Sequence, residues 1–143
     1  MNTNNQKYTY GTLTPSTTVL CDELTDLEGA AHTVLTPNGL SAISVPLLAF
    51  LSAGDHLLVV DSCYFPTRRF CENVLRRLGI DIEYYHPGIG AGIADLMKPN
   101  TRVVFTEAPA SNSFEMMDVP LVAKTAKEKG SDGGIVVMMD NTW

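Results

Sequence analysis

Five consecutive apolar residues, Ile135-Val136-Val137-Met138-Met139, run straight into a carboxylate, Asp140. Such unbroken apolar composition belongs to strands buried on both faces, as in a parallel sheet covered by helices above and below. A carboxylate at the carboxyl end of such a strand lies where open α/β sheets bind their ligands. Asn141, Thr142 and Trp143 follow, with no linker or turn residues, so the sequence reads as cut within a domain.

The rest of the chain repeats the theme. His56 to Asp61, Ile80 to Tyr85, Arg102 to Glu107 and Gly134 to Asp140 read as strands, with a shorter candidate at His32 to Thr36. Helical patterns separate them. Gly39 to Leu51 is one, with Pro46 inside it expected to kink or interrupt the helix. Thr67 to Leu78 ends at Gly79, Ala91 to Met97 is short, and Val119 to Lys129 is closed by Gly130. Strands joined through helices of about ten residues require crossover connections, which gives an α/β fold with a mainly parallel sheet. Residues 1–25 fit no crossover and are expected to form an N-terminal arm, ahead of a large domain over 26–143.

Composition excludes several classes. With 143 residues, 45% hydrophobic and 18% charged, the chain suits one globular domain or a large piece of one. A net charge of −6 with scattered Lys and Arg disfavours nucleic acid and anionic membrane as partners. The longest apolar stretch, Val45 to Leu51, falls far short of the roughly 20 residues that span a bilayer. Met1 to Gln6 are polar and uncharged, unlike a secretion signal. Cys21, Cys63 and Cys71 lack metal or redox spacing and read as reduced thiols of a cytoplasmic protein. His32, His56 and His86 are too dispersed for a metal site.

Four points along the chain could carry chemistry. In Pro37-Asn38-Gly39-Leu40-Ser41, amides at a helix N-terminus could hold a phosphate, with Gly39 permitting close approach. Taken alone, the same residues make a turn and a helix cap. Tyr64, in Asp61-Ser62-Cys63-Tyr64-Phe65-Pro66 after a strand, could stack on a planar ligand or simply pack over the sheet. Glu107 ends a strand and could line a site or cap a turn. Asp140 must be paired or hydrogen-bonded if buried, and one chemical use is to pair with a protonated pyridine nitrogen. A structural aspartate fits equally well.

Gly88-Ile89-Gly90-Ala91-Gly92-Ile93 has the spacing of a dinucleotide-binding glycine loop only in part. That loop needs Gly or Ala where Ile93 stands and opens the first crossover, which this stretch does not.

The order of these blocks is far more specific than any one of them. Tyr10-Gly11-Thr12-Leu13-Thr14, LEGA (27–30), PNGLSA (37–42), LSAGDHLLV (51–59) and YFPTRRFC (64–71) come first. Then follow the long block from Tyr84 to Pro109, FEMMDVP (114–120) and MMDNTW (138–143). Together they resemble the Cys/Met-metabolism family of pyridoxal-phosphate enzymes, and within it the bacterial cystathionine β-lyases, from about residue 10 to the end. The resemblance implies the large domain of a fold-type-I, aspartate-aminotransferase-like enzyme, with 26–143 an incomplete cofactor-binding domain. It implies pyridoxal 5'-phosphate as cofactor, its phosphate on the main-chain amides of Gly39 and Leu40. Tyr64 would stack on the pyridine ring and, by analogy, assist proton transfer, while Asp140 would pair with the ring nitrogen. The implied reaction is cleavage of a small sulfur amino acid, cystathionine, to homocysteine, pyruvate and ammonia, with the ring as electron sink. Homo-oligomers, dimers of dimers with active sites at subunit contacts, are implied as well.

The departures from the family pattern carry their own expectations. The lysine that anchors the cofactor covalently lies in a Ser/Thr-rich motif beyond the Asp-Asn-Thr block, and Lys7, Lys98, Lys124, Lys127 and Lys129 match no such motif. The substrate-carboxylate arginine of the family's C-terminal domain has no counterpart either. The Tyr-x-Arg element near the N-terminus is replaced by Lys7-Tyr8-Thr9-Tyr10-Gly11, without the arginine. The chain alone is therefore expected to be inactive. Other family reactions, the cystathionine γ-lyase and γ-synthase type, and a non-catalytic remnant that pairs with a full-length homologue are the alternatives.

Overall fold

The structure, a computed structural model, describes residues 14–130 and 134–143. The chain divides into two compact units, Met1–Pro37 and Asn38–Trp143.

In the first unit, helix α1 (Pro15–Glu28) occupies most of the described residues. It starts where a helix should. The Thr14 side chain accepts from the Thr17 amide, Thr17 returns a bond to the Thr14 amide, and Pro15 sits in the first turn. Gly29 ends it in the left-handed conformation, φ 60°. The expected arm is thus helical over this stretch. No residue of α1 is buried. The strand expected at 32–36 does not form. Those residues pair with no other strand among the described residues, and Val34 is 84% exposed. An extended segment this short, closed by Pro37, is stable as a strand only when a ladder supports it. Thr33 is instead tied to α1 by a 2.8 Å hydroxyl–hydroxyl bond with Thr25.

The second unit is a four-stranded parallel sheet in the order β2-β1-β3-β4. The strands are β1 (His56–Val60), β2 (Asp81–Tyr85), β3 (Thr101–Glu107) and β4 (Val136–Asp140). All four coincide with expected strands to within two residues at each end. β1 is buried along its whole length, and on β3 Val103, Val104 and Phe105 are at most 1% exposed. Apolar runs without alternation suit these two central strands, since both sheet faces are covered.

β4 departs from the expectation. Its run looked buried on both faces, yet Val136, Val137 and Met138 are only half-buried and Met139 is 44% exposed. The cause is position, because β4 pairs with β3 on one side and with no strand on the other among the described residues.

Helix α2 (Gly39–Phe50) precedes β1 and runs unbroken through Pro46, contrary to the expected interruption. Proline removes one amide and crowds the preceding turn. Here Ile43 and Leu47, buried on either side of it, hold the helix against the core. After β1 comes helix α3 (Phe65–Phe70), which widens to a π turn at Cys71–Leu75 and tightens to 3₁₀ at Arg76–Leu78. The short helix expected at 91–97 is instead a 3₁₀ segment, Pro87–Asp95, broken at Gly90 (φ 53°, ψ −133°). Glycines at 88, 90 and 92 lower helix propensity enough that only i→i+3 turns persist. Helix α4 (Val119–Lys129) forms where expected, capped by the Asp118 carboxylate on the Leu121 amide at 2.9 Å.

The strand order positions the site. From β1 the chain moves to β2 on one side, then reverses to β3 and β4 on the other. The reversal makes a topological switch point between the carboxyl ends of β1 and β3, where crevices open in sheets of this kind.

Candidate functional site

Above those strand ends lies a cavity of about 710 Å³, within the range of small-molecule sites. Gly39 and Leu40 from the start of α2, Tyr64 after β1, Glu107 at the end of β3 and Asp140 at the end of β4 all line it. The four residues singled out as cofactor-binding or catalytic from sequence thus line one cavity, together with Glu107.

The α2 end of the cavity presents main-chain donors. Asn38 caps the helix, its side-chain oxygen accepting from the Ser41 amide at 2.9 Å. The Ala42 amide closes the first helical bond onto the Asn38 carbonyl. The Gly39 and Leu40 amides, the first two of the helix, bond to no other described residue. A Cβ built on Gly39 would meet no atom within 4 Å, so the approach is open. Donors of this kind at a positive helix end suit an anion such as phosphate.

Asp140 contributes a carboxylate to the lining. One of its carboxylate oxygens, Oδ1, accepts from the Thr142 amide at 3.1 Å and the Thr142 hydroxyl at 2.6 Å. The turn so formed fixes the carboxylate at the end of its strand, and no cation pairs with it among the described residues. Asp140 is the register partner of Glu107, so both carboxylates project from the same sheet face. A positively charged ligand group is what such a wall would favour.

Tyr64 also lines the cavity, 44% exposed, at the N-terminus of α3. Its main chain is held by Glu107, whose Oε2 accepts the Tyr64 amide at 2.8 Å. Arg68 anchors the same turn by donating to the Asp61 carbonyl at 2.7 Å, and its guanidinium lies 3.9 Å above the Tyr84 ring. Beneath the turn, burial pushes the Cys63 thiol up to about 11 and that of Cys71 to about 12, so both are protonated at neutral pH. The three cysteines are free. Trp143 lines the cavity as well, its ring edge-on to Phe114 with centroids 5.4 Å apart.

The bond from Tyr64 to Glu107, the Thr142 clamp on Asp140 and Trp143 in the wall were not read from the sequence. Only the Asp-x-Thr spacing offered a signal, since it is common in turns where a carboxylate bonds an amide two residues on. Among the described residues no group of His, Cys, Asp and Glu could hold a metal ion. None of their helices is long and apolar enough to cross a membrane.

The wall therefore offers an anion seat, an aromatic face and a fixed carboxylate, which fits a phosphorylated pyridine. Comparison with known proteins points the same way. The family described as Cys/Met metabolism PLP-dependent enzyme matches residues 1–143. A protein of Rhizobium johnstonii named "Putative cystathionine beta-lyase" is 56% identical over 144 residues, covering 100% of this chain and 35% of its own length. The cystathionine beta-lyase of Haemophilus influenzae is 44% identical over 133 residues, covering 93% of this chain and 33% of its own. The chain spans about a third of the length of these relatives. Among solved structures, cystathionine gamma-lyase from Lactobacillus plantarum in complex with L-serine superposes with a TM-score of 0.88 at 22% identity. It covers 99% of this chain and 36% of that one, and shares the fold.

Proposed function

The chain belongs to the Cys/Met metabolism PLP-dependent enzymes, and from that premise we propose that it forms the cofactor-holding part of a carbon–sulfur lyase of the cystathionine β-lyase type. The cofactor of the family is pyridoxal 5'-phosphate, which when bound supplies an electron sink for charge that develops at the substrate Cα. The observation that carries the proposal is the convergence of Gly39, Leu40, Tyr64 and Asp140 on one cavity at the switch point.

The roles follow from what each group can do. The Gly39 and Leu40 amides hold the phosphate. The Tyr64 ring would cover the pyridine and limit water there, and its hydroxyl would serve to carry a proton near the substrate. Asp140, fixed by Thr142, would keep the ring nitrogen protonated, because a nearby carboxylate favours the charged form. The substrate proposed is a small sulfur amino acid, cystathionine, giving homocysteine, pyruvate and ammonia. The complete enzyme is proposed to assemble with copies of itself.

No lysine of this chain lines the cavity among the described residues, so the chain by itself is proposed to bind the cofactor without turning over substrate. Two assays test this. Trp143, the single tryptophan, lies in the cavity wall and reports on occupancy through its fluorescence. Saturable quenching by pyridoxal 5'-phosphate, lost in Asp140→Ala, is expected; a flat titration would remove the cofactor site. Pyruvate release from cystathionine by the purified chain would overturn the proposed inactivity.

A further inference from the structure

Glu107 is 4% exposed, and among the described residues no Lys, Arg or His pairs with it. A carboxylate kept out of water without a cation needs hydrogen bonds to be tolerated. The bond it has is the Tyr64 amide at 2.8 Å. That bond joins residues from the two strand ends on either side of the switch point, β1 and β3.

The turn from Asp61 to Tyr64 is held at both ends. At its start, the Asp61 amide donates to the Tyr85 carbonyl at 2.8 Å, and Arg68 donates to the Asp61 carbonyl at 2.7 Å. In its middle, the Cys63 amide donates to the Val60 carbonyl at 3.2 Å. At its end, the Tyr64 carbonyl accepts from the Thr67 and Arg68 amides at 2.9 and 3.2 Å, which ties it to α3, while Glu107 holds the Tyr64 amide and ties it to β3. The Tyr64 side chain makes no hydrogen bond to another described residue, so its ring is aimed by the main chain that carries it.

We propose that Glu107 is a positioning residue: its carboxylate fixes the Tyr64 main chain and thereby places the Tyr64 ring over the cavity. The inference rests on the reading of this cavity as the cofactor site. It assigns Glu107 no contact with the reacting atoms. A charged acceptor makes a shorter and stronger bond to an amide than a neutral one, which suits a group that must hold an exposed aromatic in place.

The test is a double-mutant cycle in the full chain, read by Trp143 quenching with pyridoxamine 5'-phosphate. That probe has no aldehyde and so forms no adduct with surface lysines. Glu107→Ala is expected to weaken binding about tenfold while Tyr64 is present, the scale of one bond to a charged acceptor. In the Tyr64→Ala background the same change should weaken it by less than about twofold, because the ring to be placed is gone. Glu107→Gln retains an acceptor and should stay within about threefold of wild type. Should Glu107→Ala lose its native circular dichroism, Glu107→Met, similar in size but without the carboxylate, takes its place with the same expectations. Equal losses in both backgrounds would overturn the positioning role and leave the cofactor site standing. Failure of the unmutated chain to bind would remove the site and this inference with it.

Discussion

His56 shows how a single residue here couples to pH without belonging to the site. It opens β1 fully buried, with Nδ1 2.8 Å from the Thr101 hydroxyl and Nε2 3.4 Å from Glu83. The Thr101 hydroxyl also accepts from the Lys98 amide at 2.7 Å, which ties the start of β1 to the start of β3 through one side chain. Burial holds the pKa below 6.5; the Lys98 ammonium adds to this, and the Asp81 and Glu83 carboxylates oppose it. In the unfolded chain the same histidine titrates near 6.5, so below that pH the unfolded state binds more protons than the native one. Stability is therefore complete above 6.5 and falls as pH drops towards the depressed native value. Urea midpoints at pH 7.5 and 5.5 should separate more for the unmutated chain than for His56→Gln, and parallel pH profiles would refute this. His56 itself is unremarkable in the sequence, and Glu107 reads there only as a strand end that could line a site or cap a turn. Both matter through partners 43 to 45 positions away, a distance that no local pattern encodes. By contrast, Gly39, Leu40, Tyr64 and Asp140 stood out because each follows or opens an element, which is a local signal.

At the scale of elements, periodicity locates the central strands and α4, while α1 is marked by punctuation instead. Thr14-Pro15 and Gly29 are start and stop signals, and they bound α1 where an arm was expected. Pro46 has the opposite sense, a breaker by its chemistry, yet α2 continues through it because buried Ile43 and Leu47 outweigh one missing amide. This makes α2 a helix with a removable defect. Pro46→Ala restores a donor for the Ala42 carbonyl and relieves the crowding of that turn. Proline disfavours a helix interior by about 3 kcal/mol relative to alanine. About 0.4–1 kcal/mol is returned through the freer unfolded chain. A net stabilisation of about 2–2.5 kcal/mol is expected in chemical denaturation. An unchanged or lowered midpoint would mean that the ring's packing, not its backbone defect, dominates at this position.

At the scale of the whole molecule, the sheet order decides what the surface exposes. Sequence patterns gave strands and class but not neighbours, because β2-β1-β3-β4 is set by which pairs bury the most apolar surface, a property of all four strands together. The same order turned β4 from an expected central strand into an edge among the described residues, with half-buried Val136 to Met138 and a 44% exposed Met139. An unpaired strand edge of this composition, with neither charge nor proline along it until Asp140, is a template for pairing with another chain. α2 adds exposed Val45, Leu48 and Phe50, and it carries no charged residue. A net charge of −6 opposes association only at long range and is screened within about 8 Å at physiological salt. The purified chain should therefore associate with rising concentration, and more strongly in high salt. Sedimentation velocity across a tenfold concentration range would read this as a shift to faster-sedimenting species. A salt-independent monomer with one sharp melting transition would show that the β4 edge is already satisfied within this chain.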